Sequence, residues 1–129
     1  MRSRRYHRRV GGRAPRDKEI AAAEIPLGSP PAPPGDLPAA VCYPNSYRVG
    51  MASLGFQLVW GMFDGHGAFD VDRYFDASIS ARGRDARPCG LRTGRPLGEA
   101  RVIAFSLYYE LDYVTACRML VTLPTYDTP

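Results

Sequence analysis

The residues best suited to chemistry lie between Pro44 and Gly55, PNSYRVGMASLG, where an apolar run ending at Tyr43 breaks and a helical pattern restarts. Asn45, Ser46 and Tyr47 carry hydrogen-bonding side chains, while Gly50 and Gly55 permit close approach of the backbone. A helix capped by Ser53 turns its positive end toward an anionic group. That chemistry is ligand binding. In an open α/β sheet, a loop leaving the carboxyl end of a strand lines the crevice that takes a ligand. The same glycines serve equally well in a tight strand-to-helix turn with no ligand.

A second candidate loop is Ser106-Leu-Tyr-Tyr-Glu-Leu-Asp-Tyr, which follows another apolar run. Tyr108, Tyr109 and Glu110 are candidates to face the same crevice. The competing reading makes the tyrosines packing residues with satisfied hydroxyls, and Glu110 and Asp112 first-turn acids favoured by the helix dipole.

Other chemistries have no residues to carry them. There is no Ser/His/Asp set, paired carboxylate or phosphate-binding GxxxxGK[ST], so hydrolase and nucleoside-triphosphatase readings fall away. Cys42, Cys89 and Cys117 are odd in number and widely spaced, without the spacing of metal ligands, and read as reduced structural thiols. Cys42 belongs in a buried strand and Cys117 on a packed helix face, while Cys89 in RPCG is the exposed one. Gly94-Arg-Pro-Leu-Gly reads as a turn, and Arg82, Arg84, Arg87, Arg92 and Arg95 as a solvated face.

The elements that position these loops follow from periodicity. Ala39–Tyr43 is short, continuous and apolar, as a parallel strand buried on both faces requires. After Ser53, a helix places Leu54, Leu58 and Met62, with Val59 and Phe63, on its packed face, and Gly65 and Gly67 end it. Phe69–Phe75, FDVDRYF, alternates apolar and charged residues and reads as an edge strand with one wet face. Residues 77–98 lack a period. Val102–Leu107 reads as a second buried strand, and Tyr109–Leu123 as a helix with a stripe at Leu111, Val114, Cys117, Met119, Leu120 and Leu123.

The order β-α-β-loop-β-α gives the fold class: α/β, a partial Rossmann-like (flavodoxin-like) parallel sheet with flanking helices, preceded by a disordered basic and Pro-rich tail. The partition is 1–36 for the Arg-rich tail and Pro-rich linker, and 37–129 for the partial Rossmann domain. With 129 residues, the chain has room for one small domain and none for a barrel of about 250. A complete doubly wound sheet has about five strands, so the folded part is expected to be a front half, marginal in stability.

The formal charge of +4 is uneven, eight Arg/Lys against four acids over 1–36 and nine against nine beyond. Nucleic-acid binding would rest on that tail charge alone and is not expected. No apolar stretch follows the basic start as a secretory signal requires, and Asp17, Glu19 and Glu24 spoil a transit peptide. With no apolar run of about 18 residues, a soluble, cytoplasmic chain with no membrane partner is expected.

Three blocks taken together point to a family. Cys42-Tyr-Pro-Asn-Ser-Tyr-Arg-Val-Gly-Met-Ala-Ser-Leu-Gly-Phe-Gln, then Leu91-Arg-Thr-Gly-Arg-Pro-Leu-Gly, then Val102-Ile-Ala-Phe-Ser-Leu-Tyr-Tyr-Glu-Leu-Asp-Tyr resemble the amino-terminal cobalamin (B12)-binding-like domain of radical SAM proteins. The resemblance spans about 37–123. It implies a Rossmann-like domain preceding a radical SAM barrel, whose CxxxCxxC motif holds a [4Fe-4S] cluster that cleaves S-adenosylmethionine. This chain has no such motif, so the cluster and S-adenosylmethionine belong to the missing part of the parent family, and the domain is non-catalytic alone.

Cobalamin is the cofactor the resemblance brings, and Pro44, Asn45, Ser46, Tyr47, Gly50, Met51, Gly55, Ser106, Tyr108 and Glu110 are its candidate contacts. Methyltransferase-type cobalamin domains place a histidine in DxHxxG. Asp64-Gly-His-Gly-Ala-Phe lacks the last glycine and follows a helix, so His66 reads as a loop residue. The alternative is a cofactor-free Rossmann-like interaction module that docks on a partner.

Overall fold

The computed structural model describes residues 17–28, 33–78, 87–121 and 123. Its elements run α1 (Asp17–Ala22), β1 (Leu37–Tyr43), α2 (Tyr47–Ala52), α3 (Leu54–Asp64), β2 (Phe69–Phe75), a 3-10 turn at Leu97–Glu99, β3 (Val102–Phe105) and α4 (Glu110–Val121). The three strands form one parallel sheet in the order β2-β1-β3, with Val41 opposite both Arg73 and Ala104. The α/β reading therefore stands. Arg82 and Arg84 lie outside the described residues.

β1 runs through the middle because small and apolar residues on both its faces let it be covered twice. Ala39, Val41 and Tyr43 point into one core with Tyr47, Phe56, Val71, Phe75 and Leu91. Ala40 and Cys42, on the alternate face, meet Tyr74, Leu97 and Met119. The first crossover, carrying α2 and α3, thus covers one face, and the second crossover with α4 covers the other.

β2 is an edge strand as expected, but it has no wet face. Asp72 is 2% exposed and Arg73 8%. The loop 90–95 covers the outer edge: Leu91 N–H donates to the Arg73 carbonyl at 2.9 Å, and the Asp72 carboxylate accepts from Arg92 N at 2.9 Å, Thr93 N at 2.7 Å and Thr93 Oγ1 at 2.7 Å. The loop turns back through Gly94 at φ +74°, where glycine carries no steric penalty. Arg92 and Arg95 both pair with Asp70; Arg87 and Arg92 are exposed, as a solvated face requires, while Arg95 is largely covered. Edge groups that would template another strand are in this way used internally.

β3 is shorter than expected and only half-buried along its length; like β2 it pairs with β1 alone. Both long helices pack through a stripe shifted from the expected one, sharing with it Phe63 in α3 and Met119 in α4. In α3, Phe56 is buried with Trp60 and Phe63 half-buried, while Leu54, Leu58 and Met62 stand 81%, 67% and 68% exposed. In α4, Asp112, Ala116 and Met119 turn inward, and Leu111, Val114 and Cys117 outward. The aromatic stripe removes more area from water in α3. In α4, the capping carboxylate of Asp112 sets the phase.

Residues 17–28 add structure within the segment assigned to tail and linker. Glu24, just beyond α1, reaches the domain and pairs with Arg73. No helix among the described residues is long and apolar enough to cross a membrane.

Candidate functional site

In a 2-1-3 parallel order the chain leaves β1 toward one side and reaches β3 on the other, so the carboxyl ends of β1 and β3 flank a topological switch point. Two loops meet there: Pro44–Ser46 after β1, and Ser106–Tyr109 after β3. Ser106 N–H donates to the Cys42 carbonyl at 3.0 Å, which keeps the two exits side by side.

Each polar side chain in the first loop has a local bond. Asn45 Oδ1 accepts from Ser46 N at 2.7 Å, and its carbonyl accepts from Asp76 N at 3.0 Å, tying the exits of β1 and β2 together. Ser46 caps α2 by accepting from Val49 N at 3.4 Å, and Ser53 caps α3 by accepting from Phe56 N at 3.3 Å. Pro44 is buried beneath them.

Tyr108, half exposed, reaches from the exit of β3 to the start of α3, its hydroxyl against Gly55. Asp112 Oδ2 accepts from the N–H groups of Tyr108 at 2.9 Å and Tyr109 at 3.0 Å, fixing the chain ahead of α4. At the other end, hydrogen bonds from Ser53 and then Ser106 hold the Tyr108 hydroxyl below the usual tyrosine range. Its ring lies 6.1 Å from that of Tyr43, which in turn meets Phe56 edge-on at 5.4 Å.

The expected contacts therefore divide. Asn45, Ser46, Gly55, Ser106 and Tyr108 come together at the switch point. Tyr47 and Met51 instead face a groove between α3 and β2, where the Tyr47 hydroxyl donates to Glu24 and Arg73 Nη1 lies 3.1 Å from Met51 Sδ. Gly50 is enclosed by protein, a Cβ there falling 2.5 Å from Phe75 Cε1 and 3.1 Å from Tyr43 Cγ. Glu110 is exposed in the first turn of α4.

A corrin needs a flat bed of small residues and open backbone. Gly50 is backed by Phe75 and Tyr43, and the position of a Gly55 side chain is taken by the Tyr108 hydroxyl. In this arrangement the residues do not fit a corrin lying on those glycines. His66 stacks against Phe69 at 5.1 Å, and no group of three or more His, Cys, Asp or Glu side chains among the described residues is placed to hold a metal.

Three residues at the second groove escaped the sequence reading: Glu24, Trp60 and Arg73. Arg73 sits with its guanidinium 4.1 Å from the Trp60 ring centre and donates to both Glu24 carboxylate oxygens at 2.8 Å. The signal was present in FDVDRYF. One face of that strand reads Phe69, Val71, Arg73, Phe75, an arginine at an otherwise apolar position. Burial raises the Glu24 pKa, but the hydrogen bonds from Arg73 and Tyr47 and the Arg73 charge outweigh it, leaving the carboxyl below its ordinary range.

No protein-family model, curated protein or solved structure matches this chain.

Proposed function

We propose that this chain is a cobalamin-binding-like Rossmann domain of the radical SAM type, non-catalytic by itself. What supports the reading is how the first and third blocks of family resemblance relate in space. The first supplies the exit of β1, α2 and the start of α3; the third supplies β3 and the start of α4; and they meet at the switch point, where Ser106 N–H donates to the Cys42 carbonyl and the Tyr108 hydroxyl lies against Gly55. The second block, Leu91–Gly98, begins in the loop that covers β2 and runs into the 3-10 turn.

The cofactor-free interaction module is a second reading, favoured by two observations. The glycines of the crevice are backed by the chain's own rings, and Leu54, Leu58 and Met62 leave an apolar stripe on α3 in water.

Titration with hydroxocobalamin separates the two. A saturable change in its visible spectrum, with co-elution of cofactor and chain, supports a cofactor domain in which Tyr108 moves aside. An unchanged spectrum without co-elution leaves the interaction module. The family itself is tested by the DNA downstream: a continuation encoding CxxxCxxC supports it, and a continuation without that motif overturns it.

A further inference from the structure

We propose that Arg73, Tyr47 and Trp60 form a carboxylate-binding site whose resident occupant is the chain's own Glu24, and that a carboxylate with an apolar body competes with Glu24 for it. The site has the parts such recognition needs. Arg73 is buried and presents a planar fork, both prongs of which are 2.8 Å from a carboxylate oxygen. Bidentate pairing of that kind is the strong form of carboxylate binding. Trp60 covers the guanidinium face at 4.1 Å, and the Tyr47 hydroxyl donates to the same carboxylate.

Beside this head-group position lies an open groove of about 900 Å³ floored by Met51, Trp60, Phe69 and Val71, with Asp64, Asp72 and Arg92 also on its lining and the exposed Ile25 and Leu27 at its rim. Its volume falls within the range of small-molecule sites, about 300–1,000 Å³. The carboxylate that fills the head position comes from a different part of the chain, 49 residues before its partner. Glu24 keeps 29% of its side chain in water while Arg73 keeps 9%, so the fixed partner is the arginine and the exchangeable one is the acid. Removing Glu24 leaves a buried cation without compensation, which favours an external carboxylate in its place.

The test uses the full chain and the fluorescence of Trp60, its single tryptophan. Octanoate is titrated into the wild type and Glu24→Gln, with octan-1-ol as the uncharged control. The variant should bind octanoate about tenfold more tightly or better, because the internal carboxylate competes at an effective concentration of about millimolar. Octan-1-ol should give no saturable response, and Arg73→Gln in the Glu24→Gln background should abolish that for octanoate. If circular dichroism shows that this double variant does not fold, Tyr47→Phe in the same background replaces it, with an expected loss of about tenfold in affinity. Equal octanoate affinity in wild type and Glu24→Gln, an equal response to octan-1-ol, or unchanged affinity after Arg73→Gln or Tyr47→Phe overturns the proposal.

Discussion

The hydroxyl of Tyr108 occupies the place where a side chain at Gly55 would begin. The hydroxyl thus sits between the start of α3 and the exit of β3, beside the cap Ser53, two residues before Gly55, and beside Ser106. Gly55→Ala should therefore displace the half-exposed Tyr108 side chain and lower stability by about 1 kcal/mol or less, the lost hydroxyl contacts being partly offset by the better helix former. Tyr108→Phe removes the obstructing oxygen, so the double variant should recover part of that loss. Urea midpoints of the four proteins in the cycle check it, and strict additivity would mean that the two residues do not meet.

Asp72 organises the loop over β2 through bonds to Arg92 N, Thr93 N and Thr93 Oγ1 while itself being buried. Asp72→Ala strands these donors and should cost about 2–4 kcal/mol, given that each bond to a charged group is worth about 1.5–3 kcal/mol and some donors regain water. Hydrogen exchange reads the effect locally. The amides of Arg92 and Thr93 should exchange much faster in the variant, with those of β1 changing far less.

Asp70 links the loop to the strand by charge. The hydrogen bond from Arg95, then that from Arg92, hold its carboxyl below the ordinary value of 3.8, overcoming the opposing effect of burial. A folded pKa below the unfolded one means that the stabilisation is complete above the unfolded value and is lost as pH falls through the folded one. Urea midpoints should thus fall more steeply below pH of about 4 in the wild type than in Asp70→Asn. Parallel curves for the two proteins would show that the pair contributes nothing.

The outer stripe of α3 offers an apolar surface to water. Leu54, Leu58 and Met62 recur at every fourth position and are each more than two-thirds exposed or close to it, at 81%, 67% and 68%. The native chain should bind anilinonaphthalene sulfonate, and Leu54→Lys, Leu58→Gln and Met62→Lys together should lower the dye signal by about half or more. Far-UV circular dichroism and the thermal midpoint should change little, because these side chains leave the core untouched. A dye signal unaffected by the triple change would place the apolar surface elsewhere.

The sequence by itself determined the three strands, the two longer helices and the fold class, while α1 and α2 formed in segments read as tail and loop. Continuous apolar runs at Ala39–Tyr43 and from Val102, a helical pattern after Ser53, and the alternation of Phe69–Phe75 depend on local periodicity, and each appears as the expected strand or helix. Tertiary structure decided which side of each element faces inward. Period alone offered Leu54, Leu58 and Met62 with Val59 and Phe63 as the packed face of α3, yet only Phe63 of these packs on the core, beside Phe56 and Trp60. It also decided the electrostatics. Arg73 and Glu24 are remote in sequence, as are Asp72 and Thr93, and only the folded chain brings such partners close enough to offset the cost of burying charge. The crevice loops could be located because strand ends are local features, whereas the contact of Tyr108 with Gly55 depends on α3 and β3 arriving together.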